Sequence, residues 1–400
     1  MQKKLIALAL ASLSSAAFAD ATNVTIYGVA DATFDVIRVS DNANNTPNFN
    51  RVSTNGSHIG FRGTENLGNG LSAIFQFESD AKFDNGGSLS TGRDSFVGLS
   101  GNFGKVLLGT LTAPTRALGA RLDVNTGEGI GSNTAILGKL GGRLAYGNLQ
   151  KTAINLGNIS SVADYNINAR SNDTTSLFDS RHKNSIAYVS PSFSGFQASA
   201  VYMANENKSE GAAAFPFGPI NTSAYDLGLT YDNGPIYIGG TYAELRVKND
   251  NPIPVLLVPS DTKVKEARLG GIYDFGMATI RGLYARTKVE GGGTDVKQNV
   301  WGLGATYNVT ANGKLVSQYY VARDVEVNGT DLNESGAKLF TIGYEHNLSK
   351  RTMLKAGYAR VANDDNNNGY DFGYNASGFA GIGANGFTAS GFQFGVRHAF

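Results

Sequence analysis

The chain ends on "FQFGVRHAF" (392–400), and the alternation in this stretch poses the fold question. Phe392, Phe394, Val396, His398 and Phe400 fall on one face, with Gln393, Gly395, Arg397 and Ala399 on the other, the period-two pattern of a β-strand. One face is oily and the other polar. Such a strand suits either a half-buried sheet in water or a wall between lipid and a wet lumen.

The same pattern recurs along the chain. "VTIYGVADATFDVI" (24–37) sets Ile26, Ala30, Ala32, Phe34 and Val36 against Tyr27, Asp31, Thr33 and Asp35. "LSAIFQFESDAK" (71–82), "QNVWGLGATY" (298–307) and "RTMLKAGYAR" (351–360) divide in the same way. Between such runs the punctuation alternates in length. Short turns fall at 66–70, 101–105, 190–195, 231–235, 273–277, 308–314 and 346–350. Longer polar segments fall at 40–56, 84–92, 112–180, 205–222, 248–263, 289–296, 327–336 and 363–388. A long connection after each odd strand closes the count at sixteen strands. Strands of about ten residues with short turns at one end and long loops at the other predict an all-β fold, a transmembrane antiparallel β-barrel. The physical reason is backbone pairing: in lipid every N–H and C=O must be satisfied within the protein, and a closed barrel does so without an edge.

Composition agrees. Glycine at 51, tyrosine at 18 and phenylalanine at 22 stand beside only 17% charged residues, below the roughly 25% usual for soluble domains. "MQKKLIALALASLSSAAFAD" (1–20) has the charged, apolar and small-residue regions of a secretory signal, predicting cleavage after Ala19 and a barrel over 20–400. Beyond it no run of 18 apolar residues appears, which excludes helical spans. Losing Lys3 and Lys4 takes the formal charge from +1 to −1, a balance that argues against nucleic acid. With no cysteine there is neither a disulfide framework nor thiol chemistry.

Parity also directs the charges. A lysine or arginine facing mid-bilayer costs roughly 2–4 kcal/mol. Arg62, Arg181, Arg268, Arg281 and Lys355 lie opposite their strands' apolar sets, as do Glu78, Asp226 and Glu345. The interior is therefore expected to be wet and to carry both signs.

Seven stretches then add a resemblance: "VTIYGVAD", "GSHIGFRGTENLGNGLSAIFQFE", "DSFVGLSGNFGKVLLG", "NSIAYVSPSFSGF", "YDNGPIYIGGTY", "GYEHNLSKRT" and "GVRHAF". In this order they resemble the trimeric general-diffusion porins of β-proteobacterial type, along most of 20–400. The resemblance implies a homotrimer of sixteen-stranded barrels in the outer membrane, among its lipid and lipopolysaccharide. Each barrel would be narrowed by its third long loop folded into the lumen. It also implies that Phe400 belongs to the terminal signal read by the barrel-assembly machinery.

In this framework 112–180 is the constriction loop region. Gly119, Gly127, Gly129 and Gly131 would let its backbone lie against the wall. Asp123 and Glu128 are candidates for the acidic side of the constriction, with Arg116 and Arg121 to offset them. Opposite, Arg93 and Arg181 match wall arginines of the family, and Arg62 joins them by parity. His58 and Thr110 stand where arginine is common, which weakens the family's frequent anion preference. Six basic and five acidic residues over 112–180 point to weak charge selectivity. The loop is long, so 145–178 is expected either to fold outward or to plug the lumen.

Other signals carry less. "DDNNNG" (364–369) mimics the opening of a calcium loop but would place Asn375 where a bidentate glutamate is needed, so a solvated loop and no metal are expected. His182 has Asp179 and Ser180 beside it in sequence, yet nothing in the spacing requires a catalytic group. A passive channel for ions and small hydrophilic solutes, with no cofactor and no enzymatic activity, is the reading that results. A substrate-specific or gated channel and a surface-binding barrel stay open beside it; the apolar tract at 251–260 bears on both.

Overall fold

The computed structural model describes residues 24–40, 48–84, 86, 89, 92–141, 178–204, 220–249, 261–291, 293–372 and 384–400. The signal region, 145–177 and the tract 251–260 lie outside the described residues.

Nineteen strand segments make one antiparallel sheet closed on itself. They are β1 (Thr25–Ser40), β2 (Phe49–Ser53), β3 (His58–Gly68), β4 (Leu71–Asp80), β5 (Ser95–Gly101), β6 (Gly104–Thr112), β7 (Arg181–Val189), β8 (Phe196–Met203), β9 (Ile220–Asn233) and β10 (Ile236–Asn249). There follow β11 (Asp261–Asp274), β12 (Ala278–Gly291), β13 (Thr294–Asn308), β14 (Gly313–Ala322), β15 (Val325–Val327), β16 (Thr330–Leu332), β17 (Ala337–Asn347), β18 (Thr352–Asn363) and β19 (Thr388–Ala399). β2 and β3 both pair with β1 and form one interrupted stave. β15 continues β14 along β13, and β16 pairs with β15 as the other arm of a short hairpin. The barrel therefore has sixteen staves, as the turn pattern predicts.

Closure runs through the terminal strand. β19 pairs with β1 from Val29↔Ala399 to Ser40↔Thr388, and the backbones of Gly28 and Phe400 exchange hydrogen bonds of 3.2 and 3.0 Å. Phe392 and Phe394 face outward at 62% and 56% exposure, while Gln393 is buried. Arg397, set among these aromatics in sequence, points inward and meets Asp31 at 3.3 Å. The opposite parity of neighbouring side chains is what lets one strand hold lipid on one side and an ion pair on the other.

Outward aromatics form two belts. Tyr225, Tyr242, Tyr284, Trp301 and Tyr319 make one; Tyr273, Tyr307 and Tyr344, near the short turns, belong to the other. Leu269, Ile280, Leu303 and Ile342 are exposed between them. Tyr307 lies six positions after Trp301, about 20 Å along the strand, which suits the apolar band of an outer-membrane barrel.

Beyond the first belt, at the long-loop end, the polarity inverts. Leu245, Val264, Val289 and Val296 point inward and pack with Leu140 and Phe178. Their strand neighbours Arg246, Lys263, Lys288 and Lys297 point outward. This corrects two expectations. The segment 289–296 is in large part strand, with only 292–293 between β12 and β13, and the strand ends of β10 and β11 reach Asn249 and Asp261 within 248–263. Charge density made them resemble loops because the charged face is here the outer one. The interior is also not wet throughout: Leu118, Leu122, Ile130, Ile136, Leu137, Tyr320, Tyr370, Phe372 and Phe387 form a dry core within the barrel. The segment after β18 enters that core with Tyr370 and Phe372 fully buried, so 363–372 is a packed return and not the solvated loop expected. Its Asp364 carboxylate binds Lys338 at 2.7 Å, and the Asn367 amide donates to the Ser335 and Gly336 carbonyls. Asn375 lies outside the described residues, and no metal-holding group of three acidic or histidine residues occurs among the described ones.

Candidate channel constriction

The loop after β6 enters the lumen as a helix, Pro114–Leu122. Its N-cap, Ala113, has no side chain able to cap, and a proline at the first turn lacks a donor. Asp226 of β9 supplies the missing acceptor, taking the Thr115 N–H at 3.2 Å and its hydroxyl at 2.9 Å. One helix face is apolar, and it meets glycines on the wall. A Cβ on Gly239 or Gly270 would stand 2.7 Å from Leu118 or 2.2 Å from Leu122, so the helix lies flat only because these positions are bare.

Past the helix the chain follows the wall. Arg281 donates to the Asp123 carbonyl, and Gln318 both accepts from Val124 N–H and donates to the Asp123 carboxylate. Glu345 takes the N–H and hydroxyl of Thr126, each at 3.0 Å. The turn at 127–129 then comes against β1 and β19: Gly56 N–H donates to the Gly127 carbonyl at 3.2 Å, and Ile130 N–H to Gln393 at 3.2 Å. Glu128 sits at φ +68°, a left-handed conformation uncommon outside glycine and asparagine. The loop end is clamped as well. Asp179 receives both terminal nitrogens of Arg268 at 2.7 and 2.6 Å, and the same guanidinium binds Glu266 at 2.5 Å, all three buried.

The turn aims Glu128 back across the lumen. Its carboxylate meets Arg116 of the helix at 3.4 Å, while its other oxygen has no hydrogen-bond partner. On the facing wall Arg93 pairs with Glu78, and with Asp80 at 3.1 Å. Glu78 also accepts the Tyr27 hydroxyl at 2.9 Å and has His58 at 3.8 Å. Arg181 lies 3.5 Å from Asp94, which in turn holds the N–H and hydroxyl of Thr112. Although a quarter of the Glu128 side chain meets water, burial of the carboxyl raises its pKa above the ordinary range, against the pull of Arg116, Arg93 and Arg181.

Arg93, Arg181, His58, Arg116 and Glu128 are thus brought to one place. Three other residues from the sequence reading are not. Asp123 is enclosed by its own loop, accepting from Asn125, Ser132, Asn133 and Gln318, and serves as the hub that folds 123–133. Arg121 hangs against the opposite wall, 3.2 Å from Asp232 and 5.0 Å over the Tyr237 ring. Arg62 points inward nearer the short-turn end, 4.8 Å over Tyr27, in a cleft it shares with Gln76 and Lys105. Sequence reasoning missed Asp94, Asp80, Gln318 and Gln393 as partners; inward parity was the available signal for Asp80, Gln318 and Gln393. Asp179 turns both oxygens to Arg268, which takes it from any role beside His182.

The sequence profile of the Gram-negative porins matches residues 5–366. The chain belongs to this family. It is 31% identical to outer membrane porin protein 32 of Delftia acidovorans, over the full length of both. To the major outer membrane protein P.IB of Neisseria sicca it is 29% identical, over 90% of this chain and 94% of that one. The anion-selective porin from Comamonas acidovorans superposes with a TM-score of 0.70 at 28% identity, covering 95% of this chain and all of that one. This porin is therefore an outer-membrane protein, and its lumen is the channel.

Proposed function

We propose that this porin is a passive, weakly charge-selective channel for ions and small hydrophilic solutes, working as a homotrimer without catalysis or cofactor. The observation that carries the proposal is the juxtaposition of Arg93, Arg181 and His58 on one wall with Arg116 and Glu128 on the inserted loop. Such opposed charges bias ion entry by their field, while the gap sets a size limit. Each arginine there has a carboxylate beside it, so the field is largely self-compensated. Arg62 and Lys105 extend the positive charge toward the short-turn mouth, and they favour a mild anion preference of the kind named for the Comamonas relative. Phe400 would act first as the signal to the assembly machinery, then as the closing residue of the wall. The homotrimer reading has the support of a trimer form among the similar folds, an OmpT of Vibrio cholerae with a TM-score of 0.61.

The test is single-channel current of purified protein in a planar bilayer under a salt gradient. Open steps in groups of three and a small reversal potential of anionic sign are expected. Folded protein without conductance would rule out the diffusion reading, and a large cationic potential would rule out the assigned charge balance.

A further inference from the structure

Arg62 and Lys105 are exposed to the lumen and have no ion pair among the described residues. Other cations on the inner wall are neutralised: Arg93, Arg181, Arg268, Arg397, Lys314 and Lys355 each have a carboxylate oxygen within 3.5 Å. Arg281 donates to backbone carbonyls of the inserted loop. Arg62 and Lys105 share one cleft of about 650 Å³ at the short-turn end of β3–β6, next to the charged cluster. Cross-strand register shows what fills its floor. Thr25, Arg62, Gln76 and Phe96 form one inward row across β1, β3, β4 and β5. The next row toward the turns is Thr64, Ile74, Gly98 and Leu107, and Lys105 stands one row farther, opposite Ser100. Phe96 and Leu107 pack against the buried cluster of Leu111, Ala187 and Val201, which makes this strip of the lumen wall apolar. Glu65 borders the cleft from the opposite parity, in register with Ala73.

Arg62 is set in place without an acid. Its guanidinium lies 4.8 Å over the Tyr27 ring, and the Tyr27 hydroxyl is fixed on Glu78 at 2.9 Å. Gly60 leaves room for that ring, since a Cβ there would stand 2.5 Å from it. A guanidinium stacked by its face keeps its N–H edge free, and that edge fits a planar carboxylate through two parallel hydrogen bonds. We propose that this cleft binds organic monoanions with an apolar body, of the aryl carboxylate class. The carboxylate sits on Arg62, the ring lies on Ile74 and Phe96, and Lys105 draws the anion in from the short-turn rim. Small anions without an apolar body meet the same cation but gain nothing from the wall. The arginines of the constriction do not offer such a site, because carboxylates of the protein already occupy them. The proposal rests on the reading of the lumen as a diffusion channel and adds to it a class of solute that the channel retains.

The test is block of single-channel KCl current by benzoate, with acetate as the comparison at equal ionic strength. Benzoate is expected to block saturably at a concentration roughly tenfold lower than acetate, the margin that covering about half a phenyl ring supplies. Arg62→Gln should raise the half-blocking concentration of benzoate roughly tenfold. Arg62→Lys keeps the charge but not the stacked fork, and it should recover only part of that loss. Ile74→Thr/Phe96→Leu should bring benzoate toward acetate while acetate itself is unmoved, a split that damage to the barrel would not produce. A conducting channel that treats the two acids alike overturns this proposal alone. So does discrimination that survives Ile74→Thr/Phe96→Leu, or full recovery by Arg62→Lys, which would assign the effect to the field of the charge. Folded protein that carries no KCl current overturns the diffusion reading and this proposal with it.

Discussion

At the scale of single residues, Glu128 is the group on which the balance of the proposed constriction turns. It stands at a left-handed φ, has one buried carboxylate oxygen without a hydrogen-bond partner and has three arginines within electrostatic reach. A unit charge about 8 Å from a passing ion changes its energy in water by roughly 0.5 kcal/mol, a factor of about two. Because the anion gains and the cation loses by that factor, Glu128→Gln is expected to raise the anion-to-cation permeability ratio roughly four- to six-fold, read from the reversal potential. The same change should come with acid. Because burial raises the carboxyl's pKa, protonation begins at a higher pH than for a free glutamate. The channel should accordingly become more anion-selective as pH falls through the mildly acidic range. In Glu128→Gln that component should vanish; a pH profile identical in both proteins would remove Glu128 from the constriction. Neither the left-handed turn nor the loop's path is visible in a string of residues, so Glu128 and Asp123 looked alike as acids nine and four positions from the helix interior. What separates them is that Asp123 has four donors from its own loop and a fifth from Gln318 on the wall, while Glu128 has one cation across a gap.

At the scale of elements, the loop helix is held by complementary shape more than by its own propensity. It is nine residues long, too short to persist alone in water, and has no cap of its own. Asp226 replaces the cap, and Gly239 and Gly270 make room for Leu118 and Leu122. Gly270→Val is predicted to overfill this contact by roughly 1–3 kcal/mol and to push the helix toward the lumen, lowering single-channel conductance while the barrel still folds. Wild-type conductance in the variant would show that the helix does not border the channel. The strands were legible because parity in lipid is enforced by a large penalty: Phe77, Leu303 and Phe394 face out and Glu78, Gln318 and Gln393 face in, as period two predicts. The loop's seat was not legible, because wall glycines 239 and 270 read only as weak strand formers until the helix is seen against them. The ends of β11, β12 and β13 were missed for a different reason. There the outer medium changes from hydrocarbon to polar surroundings, and the same alternation continues with its two faces exchanged.

At the scale of the whole molecule, that exchange places a dry core inside a membrane barrel. Ile130, Ile136 and Leu137 of the inserted loop meet Tyr370, Phe372 and Phe387 from the last long connection, against walls made of Val300, Leu339 and Val361. The core occupies the long-loop side of the lumen along β12–β19. The charged cluster of Arg93, Arg181 and Glu128 lies beside β3–β7, so the water path is displaced to that side. Barrel and core are then separable sources of stability. The barrel rests on a closed ladder of hydrogen bonds, and the core on burial of apolar side chains between loops and wall. Phe387 is fully buried, and Phe387→Ala should cost the core about 3–5 kcal/mol, mostly through an unfilled cavity. Since none of the ladder passes through that side chain, heat denaturation of the barrel should move little. The loosened loops should instead reveal themselves in the current, as a noisier open state with a larger mean conductance. A lowered melting temperature with quiet, unchanged channels would mean that the core stabilises the barrel itself and does not confine the water path.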